Sequence, residues 1–142
     1  MLRAIGIFLT GILAAIALLH FYWAAGGTLG AGSAVPTIGG KPTIRPSTFA
    51  TVVVGLAFVA AVAVVLGRLG YWGGSFPPWF FRVGTAGIAI IFFARAIGEF
   101  HLIGFFKSVT NTPFALMDTR VYSPLCLIVA VIAFVVTFRS AA

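Results

Sequence analysis

The chain has 142 residues, 61% of them hydrophobic and only 8% charged, with nine basic residues, two acidic ones and a formal net charge of +7. A soluble domain of this length would carry about a quarter charged residues, so the composition excludes a water-soluble globule and points to an integral membrane protein. The basic residues are scattered rather than clustered, which argues against nucleic acid as a partner and makes membrane lipids the natural counter-charge.

Four apolar segments can be drawn, against the 20 or so residues a helix needs to cross the hydrocarbon core. The first runs from about Ala4 to Ala25. Preceded by Met1-Leu-Arg3, it resembles a signal peptide and is read as a retained first span. Gly6, Thr10, Ala14 and Ala17 share one of its faces, as close helix packing requires, and His20 and Trp23 stand near its exit. The connection from Gly26 to Ser47 is rich in Gly, Pro and Thr and shows no strand-like alternation. It is long for a helical hairpin and is expected to fold over one end of a bundle. Gly39-Gly40-Lys41 within it is not a phosphate loop, because Val35 and Pro42 stand where that motif needs a glycine and a Ser or Thr.

The second span covers about Thr48 to Leu66. After it, Tyr71, Trp72 and Trp79 are of the kind that anchors helix ends at the headgroups. The third span is drawn from about Val83 to Phe106, which places Arg95 near its middle. A charge there costs about 2.5–3.5 kcal/mol on insertion scales, so it needs a partner. Glu99, four residues on, shares its helical face and is the expected one. His101 would lie nearly opposite Glu99 on the same helix, which argues against a His20/Glu99/His101 metal triad. No metal site is expected.

The fourth span, about Tyr122 to Phe138, is short, with Ser123 as its N-cap and Pro124 in its first turn. The stretch before it would then dip below the membrane surface as non-helical backbone, which is tolerated only when buried in protein or lining a wet cavity. Asp118 in that stretch could cap a helix, pair with Arg120, or work with Glu99 as an acid–base pair. Cys126, in apolar surroundings, reads as packing, and as the single cysteine it excludes an internal disulfide.

Four spans put both ends of the chain on one side. Arg3, Arg68, Arg82 and Arg139 fall at that side and Lys41, Arg45, Lys107 and Arg120 at the other, so the positive-inside rule is tied. Arg3, ahead of the first span, favours cytoplasmic termini. The expected architecture is therefore an all-α, single-domain four-helix membrane bundle, with two longer connections covering one end. His20, Trp23, Arg95, Glu99, Asp118, Arg120 and Tyr122 gather at that end as a polar pocket.

These residues also carry a resemblance. His20-x-x-Trp23-Ala-x-Gly26-Gly27 with Ala34-Val35-Pro36, then Arg95-Ala-x-Gly98-Glu99, then Phe114-Ala-x-x-Asp118-Thr-Arg120-x-Tyr122-Ser-Pro-Leu-Cys126 resemble a family of small four-span bacterial membrane proteins catalogued as a domain of unknown function. The resemblance spans nearly the whole chain and implies the four-span architecture, but it points to no activity; the cofactor is left open, and the expected location is a bacterial inner membrane. The functional expectation is binding of a small molecule or lipid headgroup, with Arg95 as the anion contact. An enzyme using Glu99 or Asp118 with His20 is the alternative, followed by a proton-coupled transporter or an accessory subunit, as a homo-oligomer or within a larger membrane complex.

Overall fold

The computed structural model describes residues 1–139. Helix α1 spans Leu2–Ala24, α3 Thr48–Arg68 and α4 Pro78–Ile97, while α5 (Pro113–Met117), a π-helical turn (Asp118–Tyr122) and α6 (Ser123–Phe138) form one continuous fourth rod. Between α1 and α3 lie a single turn, α2 (Ala31–Ala34), and a hairpin of two-residue strands, β1 (Thr37–Ile38) and β2 (Lys41–Pro42). The four long elements are each long and apolar enough to cross a membrane, with mean hydropathies of 2.3, 2.8, 1.7 and 2.5 over their best windows. The all-α four-helix bundle read from the sequence is the fold.

The hairpin is a small correction to the expectation of no strand. Gly39 and Gly40 both take positive φ, 56° and 77°, which is what a two-residue hairpin turn needs and what glycine supplies without steric cost.

Helix α1 packs along α3, and α4 along the fourth rod; the two pairs meet less extensively. The core lies toward the end that carries the chain termini, where Leu9 and Leu13 of α1, Val65 of α3, Leu69 just beyond it, Ile88 of α4, and Val129, Ala133 and Val136 of α6 are buried together. Glycines permit the approach: a Cβ on Gly6 would press into Leu69, on Gly55 into Phe21, and on Gly84 into Val64. Buried hydroxyls tie α4 to α6, with Thr137 donating to Thr85 at 3.0 Å while Thr85 donates to the Phe81 carbonyl of its own helix. Arg68 closes the same end, donating through Nη2 to the carbonyls of Thr137 and Arg139.

Two boundaries differ from the sequence reading. The third span begins earlier, at Pro78, because Pro77-Pro78 makes a helix start and Trp79, Phe80 and Phe81 belong to the first turn. It also ends earlier, at Ile97 rather than Phe106. Gly98 takes φ +86°, ψ −173°, a conformation essentially reserved for glycine, and the chain doubles back so that Phe105 N–H reaches Ala96 O at 2.8 Å. Arg95 therefore sits in the last turn of α4, where the helix dipole favours a cation, not at mid-membrane.

The fourth rod is the larger correction. It begins at Pro113, with Thr112 as N-cap accepting the Ala115 N–H at 3.1 Å, so the stretch before Ser123 is helical and Ser123 is no cap. Pro124 is accommodated inside the rod. In a regular α-helix its ring would collide with the carbonyl four residues back, and it offers no N–H. The π turn widens the backbone there, and Ser123 N–H bonds the Asp118 carbonyl five residues behind it. One consequence is positional: Asp118 and Ser123, five apart, are both fully buried, whereas five α-helical residues would set them about 140° apart.

Candidate functional site

Away from the packed core the bundle is hollow. A cleft of about 880 Å³ lies between the helix pairs, lined by α1, α3, α4 and the fourth rod and reached by Ala34 of α2. That volume is in the range of small-molecule sites. Its lining is mostly apolar, with Phe58, Ile88, Ile91 and Phe92 prominent. His20, Trp23, Arg95 and Tyr122 supply its polar groups. Expected as a polar pocket, it is an apolar cleft with a polar end.

His20 accounts for itself. Its Nδ1 lies 2.8 Å from the Ile16 carbonyl, one turn back, and since a carbonyl only accepts, Nδ1 carries the proton. The ring packs edge-on against Trp23 and tilted against Phe58, each at 5.3 Å between centroids. Neither Glu99 nor Asp118 hydrogen-bonds to it, so the paired acid and base that His20 chemistry would need are not assembled. Trp23 and Tyr122 give the cleft aromatic walls and use their polar atoms to hold its cover. Trp23 Nε1–H donates to Leu29 O at 2.8 Å, and the Tyr122 hydroxyl donates to Ser33 O at 3.3 Å.

Asp118 is the hub of the ionic groups. Its Oδ1 accepts Arg95 Nη2 at 2.7 Å; its Oδ2 accepts Gly104 N–H at 2.8 Å and Lys107 Nζ at 3.0 Å. The Asp118 side chain is wholly buried and that of Lys107 is 2% exposed. Lys107 donates also to the Gly104 carbonyl and the Thr119 hydroxyl. Lys107, expected among the cations at the outward end, turns inward to this carboxylate instead. The only signal was a lysine eleven residues ahead of Asp118 in an apolar stretch.

The expected Arg95–Glu99 pair is not formed. Glu99 lies beyond the end of α4, and its carboxylate accepts the backbone N–H groups of His101, Leu102 and Ile103. The Leu102 N–H above all, with those of Ile103 and His101, holds this carboxyl below the usual carboxylate range. His101 is in the same loop, not on a helix, with its Nδ1 3.0 Å from the Ser108 hydroxyl. Arg120 is exposed and stands outside the cleft. Of the seven residues grouped from the sequence, four line the cleft: His20, Trp23, Arg95 and Tyr122. Asp118 reaches it only through Arg95. No residue from Gly98 to Thr112 lines the cleft; that connection covers the end of α4 instead, doubling back so that Phe105 N–H bonds Ala96 O.

Arg95 joins the two features. One face of the guanidinium meets Asp118, while the side chain is 29% exposed and borders the cleft. Its buried Nη1 has no hydrogen-bond partner. Two cations share one carboxylate, so the cluster keeps one positive charge, which the delocalised guanidinium presents at the cleft wall. Among the described residues, no group of three or more His, Cys, Asp or Glu side chains is placed to hold a metal.

Residues 13–133 match the model of a family described as a protein of unknown function (DUF3995). No curated protein and no solved structure matches the chain.

Proposed function

The chain belongs to this family of unknown function, and from its geometry we propose that it is a multi-pass membrane protein whose cleft binds an amphiphile. The apolar body of the ligand lies along α3 and α4, and its polar head meets Arg95, with His20 and Tyr122 beside it. The observation that carries this reading is the surplus positive charge of the Arg95–Asp118–Lys107 cluster, which borders the end of a mostly apolar cleft through Arg95. A charge in such surroundings is expensive to leave without a counter-ion. The setting we propose is the inner membrane of a bacterium, with the termini in the cytoplasm beside Arg3, Arg68, Arg82 and Arg139.

The test is native mass spectrometry of the protein purified in mild detergent, beside Gly87→Leu. Gly87 lines the cleft, and a Cβ there meets no atom within 4 Å, so leucine fills the cavity without a clash at its base. Retained amphiphile on the natural chain, reduced in the variant at an unchanged thermal midpoint, is the expected result. Equal retention by both proteins, or none by either, overturns the reading.

A further inference from the structure

We infer that the ligand is an acidic lipid, and that it enters from the bilayer through a gap between α3 and α4. This inference rests on the amphiphile reading above and adds to it a headgroup charge and a route.

The route follows from one helical face. Gly84 and Ile91 of α4 are seven residues apart and so share a face within about 20°. At Gly84 that face is closed by Val64 of α3. At Ile91, two turns on, it is open: Ile91 is 67% exposed although it lines the cleft. The matching positions on α3, Val54 and Ala57, also line the cleft and are exposed. The two helices thus touch at the core end, and Phe58 of α3 still meets Phe92 of α4 edge to face with ring centroids 6.1 Å apart; beside that pair the exposed Val54, Ala57 and Ile91 leave a slot on the flank of the bundle. In a four-span protein a flank faces lipid, so a ligand using this slot comes from the membrane. At the end of the cleft, the loop after α1 is held over it by Tyr122 bonded to Ser33 and Trp23 to Leu29.

The headgroup follows from charge. Arg95 and Lys107 face a single carboxylate, and Lys107 is buried away from the cleft, so the surplus charge reaches the cavity through Arg95 alone. A carboxylate or phosphate head would balance it. A guanidinium suits either, being able to give such groups parallel N–H bonds.

The test uses the full chain in detergent micelles and three probes with one acyl chain: oleate, oleoyl-lysophosphatidate and monoolein. Both acidic probes are expected to bind about tenfold or more tighter than monoolein, with no competition from inorganic phosphate. Arg95→Gln is the obvious variant, but it takes a partner from buried Asp118 and risks unfolding. Ala57→Trp narrows the slot and leaves the ion cluster intact. It is expected to slow uptake of oleate from phosphatidylcholine vesicles at least severalfold. Equal affinity for the three probes, or displacement of the lipid by inorganic phosphate, overturns the acidic-lipid assignment. Undiminished uptake by A57W overturns the route. If none of the three probes binds, the amphiphile reading itself fails, which is distinct from either result.

Discussion

Arg95 and Asp118 lie 23 residues apart in sequence and meet at 2.7 Å, the one at the last turn of α4 and the other at the first residue of the π turn. This ion pair, with Lys107 on the second carboxylate oxygen, fixes the end of α4 to the fourth rod and the intervening loop to both. It also sets the electrostatics of the cleft, because it neutralises one of two cations.

Removing the carboxylate while keeping its shape tests this directly. Asp118→Asn leaves two cations facing a neutral amide, one of them on a side chain only 2% exposed. Breaking a buried pair by deleting one partner costs about 3–5 kcal/mol. The expected outcome is a large fall in thermal midpoint in detergent. A change near that of an ordinary surface substitution would mean that the cluster is not a stabilising hub.

Glu99 has a separate and milder role, read by pH. Its carboxyl is held below the ordinary value of 4.5 by the backbone N–H of Leu102 and its neighbours. A depressed folded pKa means that ionised Glu99 stabilises the loop fully above the unfolded value and loses that contribution as pH falls through the folded one. The midpoint difference between the natural chain and Glu99→Gln should therefore be constant near neutral pH and shrink below about pH 4.5. A difference that grows on acidification would reverse the sign.

How far the sequence revealed this arrangement depends on the kind of signal. Span number, the packed glycines and the joining of His20, Trp23, Arg95 and Tyr122 at one end follow from hydropathy and topology, which one chain displays. The partner of Arg95 was not legible. Glu99 at four residues looked correct on an unbroken helix, but Gly98 stops the helix between them, and hydropathy continues across that glycine through Phe100, Leu102 and Ile103. Asp118 is the partner only because the loop doubles back, a long-range closure with no local mark. Ser123-Pro124 failed for a different reason: the same dipeptide serves a helix start or a π turn inside one, and only Thr112-Pro113 upstream shows that a start has already been made.

The glycines of the loop allow a graded experiment. A Cβ on Gly98 would overlap the Ile103 carbonyl oxygen, at a positive φ as well, so nothing flexible can move aside. Gly98→Ala is expected to lower the thermal midpoint strongly and to free the Leu102 and Ile103 amides for hydrogen exchange. Gly11→Ala, on a helical face with no atom within 4 Å of the new methyl, should gain about 0.5–1 kcal/mol from helix propensity. If Gly98→Ala left the midpoint unchanged, the close approach of Gly98 to the Ile103 carbonyl would not exist as described.

The π turn makes the most specific prediction, because it amounts to one extra residue in the rod. Val121 is exposed and lies within it. Deleting Val121 removes that residue and lets the rod return to a continuous α-helix. Asp118 and Ser123 are then four residues apart, about 40° around the helix, so Asp118 keeps its face toward Arg95 and Lys107 while α6 is held against α4 through Val129, Ala133 and Thr137. The regular helix instead drives the Pro124 ring against the carbonyl four residues before it. The deletion is therefore expected to lower the thermal midpoint, and Pro124→Ala in the same chain to recover most of the loss. Such non-additivity is the mark of two changes acting on one interaction. Asp118→Asn should cost about as much in the deleted chain as in the natural one; if it cost little there, the deletion would already have broken the ion cluster, and the π turn would serve to place Asp118 rather than to house Pro124.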